Sequence, residues 1–415
     1  MRQENSIHRA HSGIKAIQLQ PDSILQNKVP EVTIFFWIIK VLCTTVGETA
    51  SDFLNVNLGF GLTGTAIAAG ILLAITLVFQ FRAKKYIPAV YWLTVVLISI
   101  FGTLVTDIMT DGIGVPLEIS TIGFSIALLI TFVIWYANEK TLSMHSINTT
   151  KREAFYWLAI LFTFALGTAS GDLMAESLGL GYLVTGLIVL AIVAVTAVAW
   201  RLGLDSVLGF WIVYIMTRPL GASLGDYLTQ PPKYSGLGLG ATLTTAIFLG
   251  AILLTVLFLS VSKIDTRVAK PIDRKSKPSK IRYAVLLQTV IAFSVLALAG
   301  GIGYHFRHAQ LDRSAASSGA VAAASNGGDY QPFIQLEQDA LAYVKAGDVA
   351  SAKTSADDLE YTWDQSEAVL RAKDPEQWGA IDQTIDAVLR QLRAAKPDEA
   401  ASVASIEDSI AAMQP

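Results

Sequence analysis

One block of the chain is written four times, and that repetition limits the fold more than any other feature. The block reads aromatic-Trp, nine residues, Gly, four residues, Asp. Its copies are Trp37/Gly47/Asp52, Trp92/Gly102/Asp107, Trp157/Gly167/Asp172 and Trp211/Gly221/Asp226. Phe36, Tyr91, Tyr156 and Phe210 precede the tryptophans, and the small residues Ser51, Thr106, Gly171 and Gly225 precede the aspartates. The Trp-to-Trp intervals are 55, 65 and 54 residues, so four units nest as two halves. A repeat of this length fixes the architecture before any other feature is weighed.

The material between the anchors is membrane-like. Charged residues make up 16% of the chain and hydrophobic ones 53%, against about 25% charged in ordinary soluble proteins. Nine apolar runs approach the roughly 20 residues that span a bilayer. They lie near 32–53, 62–81, 88–108, 119–137, 155–175, 180–200, 206–227, 241–261 and 283–304. The expectation is an all-α polytopic membrane protein. An eight-helix bundle arises from four parallel two-helix repeats, a ninth transmembrane helix follows, and a small helical extracytoplasmic domain ends the chain.

The expected boundaries follow from composition. Residues 1–30 form a polar cytoplasmic tail with no apolar run that would make a cleavable signal peptide. Residues 31–262 form the repeat domain, divided near 31–86, 87–150, 151–205 and 206–262. Residues 263–282 are a basic cytoplasmic loop and 283–304 the ninth span. The linker 305–330 is rich in Ala, Ser and Gly. Residues 331–415 form the helical tail domain, in which Trp378, Ile381, Ile385, Val388, Leu389 and Leu392 recur at helical steps. Asp374-Pro375 and Pro397-Asp398 mark helix starts and Gly347-Asp348 a break. So small a domain buries a modest core and is a candidate for a periplasmic protein partner.

Charge sets the expected sidedness. The loops 1–30, 82–86, 138–153, 201–205 and 262–282 hold 19 Lys and Arg, and the opposite loops within the repeats hold only Lys233. The first set is therefore cytoplasmic and the C-terminus periplasmic. Residues 305–415 carry a net charge of −9 and the rest of the chain +6. Attraction of the basic loops to anionic lipid accounts for that asymmetry, and nothing calls for nucleic acid. Cys43 is the only cysteine, so no intramolecular disulfide forms.

A helix advances 100° per residue. Counted from Trp, positions +7, +11 and +15 therefore share one face, while Gly at +10 and the small residue at +14 lie on its flank. Each odd helix thus carries a small-xxx-small pair: Gly47/Ser51, Gly102/Thr106, Gly167/Gly171 and Gly221/Gly225. Such pairs let helix backbones approach in lipid. Trp37, Trp92, Trp157 and Trp211 fall near the cytoplasmic boundary, where an interfacial role is expected ahead of packing or gating. Lys40 is expected to snorkel toward that boundary rather than act as an intramembrane counter-ion. Pro219, just after Arg218, is expected to bend or break its helix.

The aspartates are the sharper signal, because ionisable residues in spans are rare and usually functional. Parallel repeats place Asp52, Asp107, Asp172 and Asp226 at one depth, near the outer boundary. Glu48, Thr103 and Thr168 lie one turn below the first three and are expected to assist in contacting the ion. Ala222 lies below the fourth, and Arg218, one turn deeper still, is expected to pair with Glu48 or to limit positive charge. A ring of carboxylates attracts cations, and oxygen ligands without His or Cys suit magnesium, calcium or manganese. The expected cargo is a divalent, manganese-like cation, as substrate and not as cofactor. His305/His308 and the acidic run Asp357, Glu360, Asp364, Glu367 read as surface features. No phosphate loop, nucleophile elbow or zinc-protease motif occurs, so an enzyme is not expected.

Four tandem two-helix units, each with its Trp, resemble a family of bacterial membrane proteins catalogued as a repeat of unknown function. The resemblance covers about 31–262 and rests on Trp37, Trp92, Trp157 and Trp211. It implies a bacterial integral membrane protein, and no activity. Two readings follow from the residues: a cation transporter or channel-like permease of the inner membrane, or an anchor or sensor that presents the tail domain outside.

Overall fold

The computed structural model describes residues 27–266 apart from 59, 114 and 231–235, most of 287–306, and 330–414 apart from 395 and 396. The described residues are helical, without strands. The repeats supply α1 (Ile34–Asp52), α2 (Gly61–Arg82), α3 (Pro88–Asp107), α4 (Leu117–Glu139), α5 (Thr150–Asp172), α6 (Tyr182–Arg201), α7 (Ser206–Thr229) and α8 (Gly240–Ser262). All eight are long and apolar enough to cross a membrane, which makes this a multi-pass membrane protein.

The odd helices close a ring in which α1 packs on α3, α3 on α5, α5 on α7, and α7 back on α1. Each even helix packs outside, on the odd helix of the following repeat: α2 on α3, α4 on α5, α6 on α7, α8 on α1. Burial follows this order. The odd helices are 56 to 72% buried in the bundle and the even ones 17 to 33%, so the even helices present Leu, Ile and Val to lipid.

Two ladders of contacts carry the fourfold relation. In the first, the glycine of each copy meets the +7 residue of the next. A Cβ on Gly47 would collide with Ser99, on Gly102 with Phe164, on Gly167 with Arg218, and on Gly221 with Thr44. In the second, the aromatic residue before each Trp packs on the Trp of the next copy. Ring centroids are 5.5 Å apart for Phe36 and Trp92, 5.4 Å for Tyr91 and Trp157, 6.3 Å for Tyr156 and Trp211, and 5.7 Å for Phe210 and Trp37. The last contact of each ladder closes the ring.

The second ladder corrects the interfacial role expected of Trp92, Trp157 and Trp211, while Trp37 is half-buried. Trp92, Trp157 and Trp211 are at most 4% exposed, and they stack with neighbouring repeats instead of facing headgroups. The ring offers tilted aromatic partners, and aromatic pairs are worth about 0.5–1.5 kcal/mol beyond simple burial. Pro219 neither breaks nor ends α7. Its ring lies against Gly167 and Gly171 of α5, and transmembrane helices tolerate proline where neighbours pack on the altered turn.

At the Trp end, residues 27–30 pack on the bundle and so differ from the polar tail expected over 1–30. Lys28 and Val29 are buried, and Lys28 Nζ donates to Glu153 at 2.7 Å and to the Phe81 carbonyl. Gln80 also donates to Glu153, so this buried carboxylate has two partners. Residues 1–26 lie outside the described ones, as do Pro231, Pro232, Lys233 and most of the basic loop.

Four further helices form the tail domain: α9 (Gln331–Lys345), α10 (Val349–Lys373), α11 (Pro375–Arg393) and α12 (Glu399–Met413). The expected starts hold, since Asp348, Asp374 and Asp398 each accept a backbone N–H as caps and Gly347 takes φ +74°. The six apolar positions of α11 are all buried, around the stacked rings of Trp363 and Trp378. The domain sits on the Asp end of the bundle.

Candidate functional site

The first three copies do not stop at Asp. Asp52, Asp107 and Asp172 each lead into a five-residue π-helical turn, Phe53–Asn57, Ile108–Gly112 and Leu173–Ser177. Wider turns of this kind recur at functional sites. The fourth copy runs on as α-helix to Thr229. At the Asp level a cavity of about 590 Å³ opens.

Asp52, Asp107, Asp172 and Asp226 all line that cavity, one from each repeat, and all four are half-buried. Glu48 lines its floor and Glu176 its side. Glu176 accepts from Tyr182 at 3.1 Å. It lies four residues beyond Asp172, a spacing that the sequence displays and that keeps the two carboxylates on one side.

Beneath the floor stands Arg218, fully buried. Its Nη2 donates to Glu48 Oε2 at 2.6 Å, to Thr168 Oγ1 at 2.7 Å and to Thr103 Oγ1. Its Nη1 reaches the Thr44 carbonyl at 3.2 Å and its Nε reaches Thr168. The polar line at +11 is therefore gathered on one guanidinium. Thr103 and Thr168 are fully buried with Arg218; Glu48, Asp52, Asp107, Asp172 and Asp226 face the cavity.

Lys40 lies deeper toward the Trp end and does not snorkel. It is 1% exposed, with Nζ 3.9 Å from the Phe164 ring centre and 4.4 Å from that of Tyr214. Ring faces attract an ammonium group, and the neighbouring helices enclose the lysine before its stem can reach the boundary. Below it Tyr91 and Tyr156 share a 2.5 Å hydrogen bond among packed rings. The axis thus runs from an aromatic layer past Lys40 and Arg218 to a carboxylate-lined cavity.

The outer wall of the cavity comes from the tail domain, through Lys353, Asp357, Glu360, Asp382, Asp386 and Arg393. Arg393 pairs with Asp357 at 2.7 Å and Glu360 at 2.6 Å, which ties α11 to α10. Asp357 and Glu360 are therefore not simply a solvated face. The side chains of Asp364 and Glu367, and all of His308, lie outside the described residues, while His305 is exposed. Burial pushes the Asp386 carboxyl up to about 6, against the pull of Arg390 and Arg393.

Among the described residues no three His, Cys, Asp or Glu side chains gather closely enough to hold a metal ion. The repeat carboxylates share a cavity without forming a coordination sphere. Direct ligation needs oxygens about 2.0–2.6 Å from a metal, so this arrangement offers an acidic field and not a ligand cage.

The repeat boundaries coincide with those of a known family. The model described as Repeat of Unknown Function (DUF347) matches residues 35–86, 90–141, 155–202 and 209–265, one match for each two-helix unit. No curated protein and no solved structure matches the chain. The four matches cover half of the chain and all four Trp/Gly/Asp anchors, and the chain belongs to the Repeat of Unknown Function (DUF347) family.

Proposed function

We propose that the chain is a cation permease of a bacterial inner membrane, with an outward-facing acidic vestibule. The observation that carries this reading is the convergence of one aspartate from every repeat on a single cavity. Burying four carboxylates together is costly unless a positive charge is drawn between them, and a fold built only to anchor another domain has no use for such an arrangement. The cargo is a cation that enters with part of its hydration shell; a divalent ion of the manganese type would need the carboxylates to draw inward before it lost that shell. No enzymatic step and no resident cofactor belong to this reading.

The Trp end faces the cytoplasm, because the 19 basic residues flank it. The ninth crossing in this reading is the apolar run 283–304. Gln288 bonds to Asp205 N–H and the Gly203 carbonyl at the Trp end, and Tyr304 donates to Glu118 at the Asp end. That crossing brings residues 330–414 to the periplasmic side. Reporter fusions after Lys85, Lys151 and Lys275 should read as cytoplasmic and one at Pro415 as periplasmic; a cytoplasmic reading at Pro415 would remove the ninth span.

The other reading, an anchor or sensor that presents the tail domain, draws on the packed half of the bundle below Arg218. The two separate in cells. Total metal content should differ between cells with and without the protein, and Asp172→Asn should abolish the difference while protein level stays normal. Equal content in all three strains would favour the anchor.

A further inference from the structure

The tail domain is not merely beside the vestibule. Helix α10 packs against the π turn Leu173–Ser177, and α11 packs against the turns Phe53–Asn57 and Ile108–Gly112. One domain thus bridges three of the four repeats, and it does so at the segments where the repeat helices depart from α geometry. Its Arg393 and Asp386 and the bundle's Asp52 and Asp172 line the same cavity. Arg393 is held by Asp357 and Glu360, so the face turned to the bundle is fixed in shape.

Each end of the cavity is then bounded by a different device. On the Trp side, Arg218 fills the axis and bonds to Glu48, Thr103 and Thr168. On the other side, the tail domain stands between the carboxylates and solvent. A chamber bounded this way holds its contents only while both barriers stand, and moving one of them changes which side has access.

We propose that residues 330–414 form a lid that closes the acidic vestibule in cis and governs access to the repeat aspartates. The lid is carried by its own chain, so its local concentration over the vestibule is high and docking needs no second protein. It rests on the vestibule reading for what passes, and on packing alone for the act of closing.

The test measures access with an uncharged reagent, so its outcome is independent of whether a cation binds. In a Cys43→Ser background, Asn55→Cys places a thiol on the cavity wall, and Ile113→Cys, at an exposed position of the Asp end, serves as control. Both are reacted with a bulky polyethylene-glycol maleimide in purified full-length protein. The lid is removed in two independent ways. Trp363→Asp disrupts its core, and a protease site built into 315–328 allows it to be cut away and washed off, with its loss followed on a gel. Either treatment should raise the rate at position 55 by about tenfold or more and leave position 113 unchanged, since a docked domain admits the reagent only through local opening. A rate at position 55 within about twofold of the intact chain once the lid is gone would overturn the proposal. Cation binding is read separately, on the intact chain, so either claim can fail alone.

Discussion

Arg218 and Glu48 meet across the axis of the bundle at 2.6 Å, from helices α7 and α1 that lie 170 residues apart in the chain. Arg218 is fully enclosed and Glu48 nearly so. Buried pairs add little net stability, but breaking one by removing a single partner leaves a charge stranded.

Arg218→Ala should therefore cost about 3–5 kcal/mol, because Glu48 would remain buried without its guanidinium and Thr103 and Thr168 would lose a shared donor. The double change Glu48→Gln, Arg218→Met should recover most of that loss. Thermal unfolding in detergent compares the three proteins. A single change no worse than the double would show that the pair is not coupled.

Gly167 tests the closure of the ring. A side chain there runs into Arg218 Cβ and Cγ and the Pro219 ring. Gly167→Leu should impair membrane accumulation, and Gly167→Ala should destabilise by about 1–3 kcal/mol, the usual range for overpacking. Leu166→Ile, beside it, should be tolerated. Equal accumulation of Gly167→Leu and Leu166→Ile would remove the packing argument.

The lid should lose stability as pH rises. Glu337 is fully buried and accepts from Ser409 at 2.6 Å. Burial pushes its carboxyl from 4.5 up to about 8. Between these values the folded lid holds a proton that the unfolded chain releases. The contribution is thus complete below pH 4.5 and is lost as pH rises toward 8, with a limiting slope of about 1.4 kcal/mol per pH unit. Glu337→Gln should flatten the dependence. Urea unfolding read from the fluorine resonance of 5-fluorotryptophan at position 363 follows the lid alone; an unchanged midpoint from pH 5 to 8 in the parent protein would contradict the sign.

Much of the bundle is legible in the spacing of Trp, Gly and Asp. A helical wheel puts Thr44, Ser99, Phe164 and Arg218 on the shared face, and the glycines on the flank that meets the next helix, which is where they pack. The cyclic order is not legible, because four identical units carry no mark of which neighbour each one touches. Nor is the fate of Lys40, whose stem could reach the boundary if Phe164 and Tyr214 did not already surround it. The spacing of Thr103 and Thr168 under Asp107 and Asp172 reads as help in cation contact; the packing of α7 between α5 and α1 instead turns both hydroxyls to the Arg218 guanidinium. The π turns leave no clear trace in composition. The docking of the tail domain is invisible for a related reason: the acidic residues of α10 look like a solvated face until Arg393, at the end of α11, is seen beside them.

If the four repeat aspartates attract a cation together, divalent cation should change the thermal stability of the purified full-length protein. A ligand that binds the folded state alone stabilises it by mass action, by about 2.7 kcal/mol at a concentration one hundred times its dissociation constant. Manganese, magnesium and calcium should be tested at constant ionic strength, so that screening is the same in each sample. At least one should raise the melting temperature. Asp52→Asn and Asp172→Asn, which keep size and remove charge, should each reduce the gain, while a change at the exposed Asp339 on the lid should not. No shift in the parent protein with any cation, or a shift that survives both substitutions undiminished, would contradict the account.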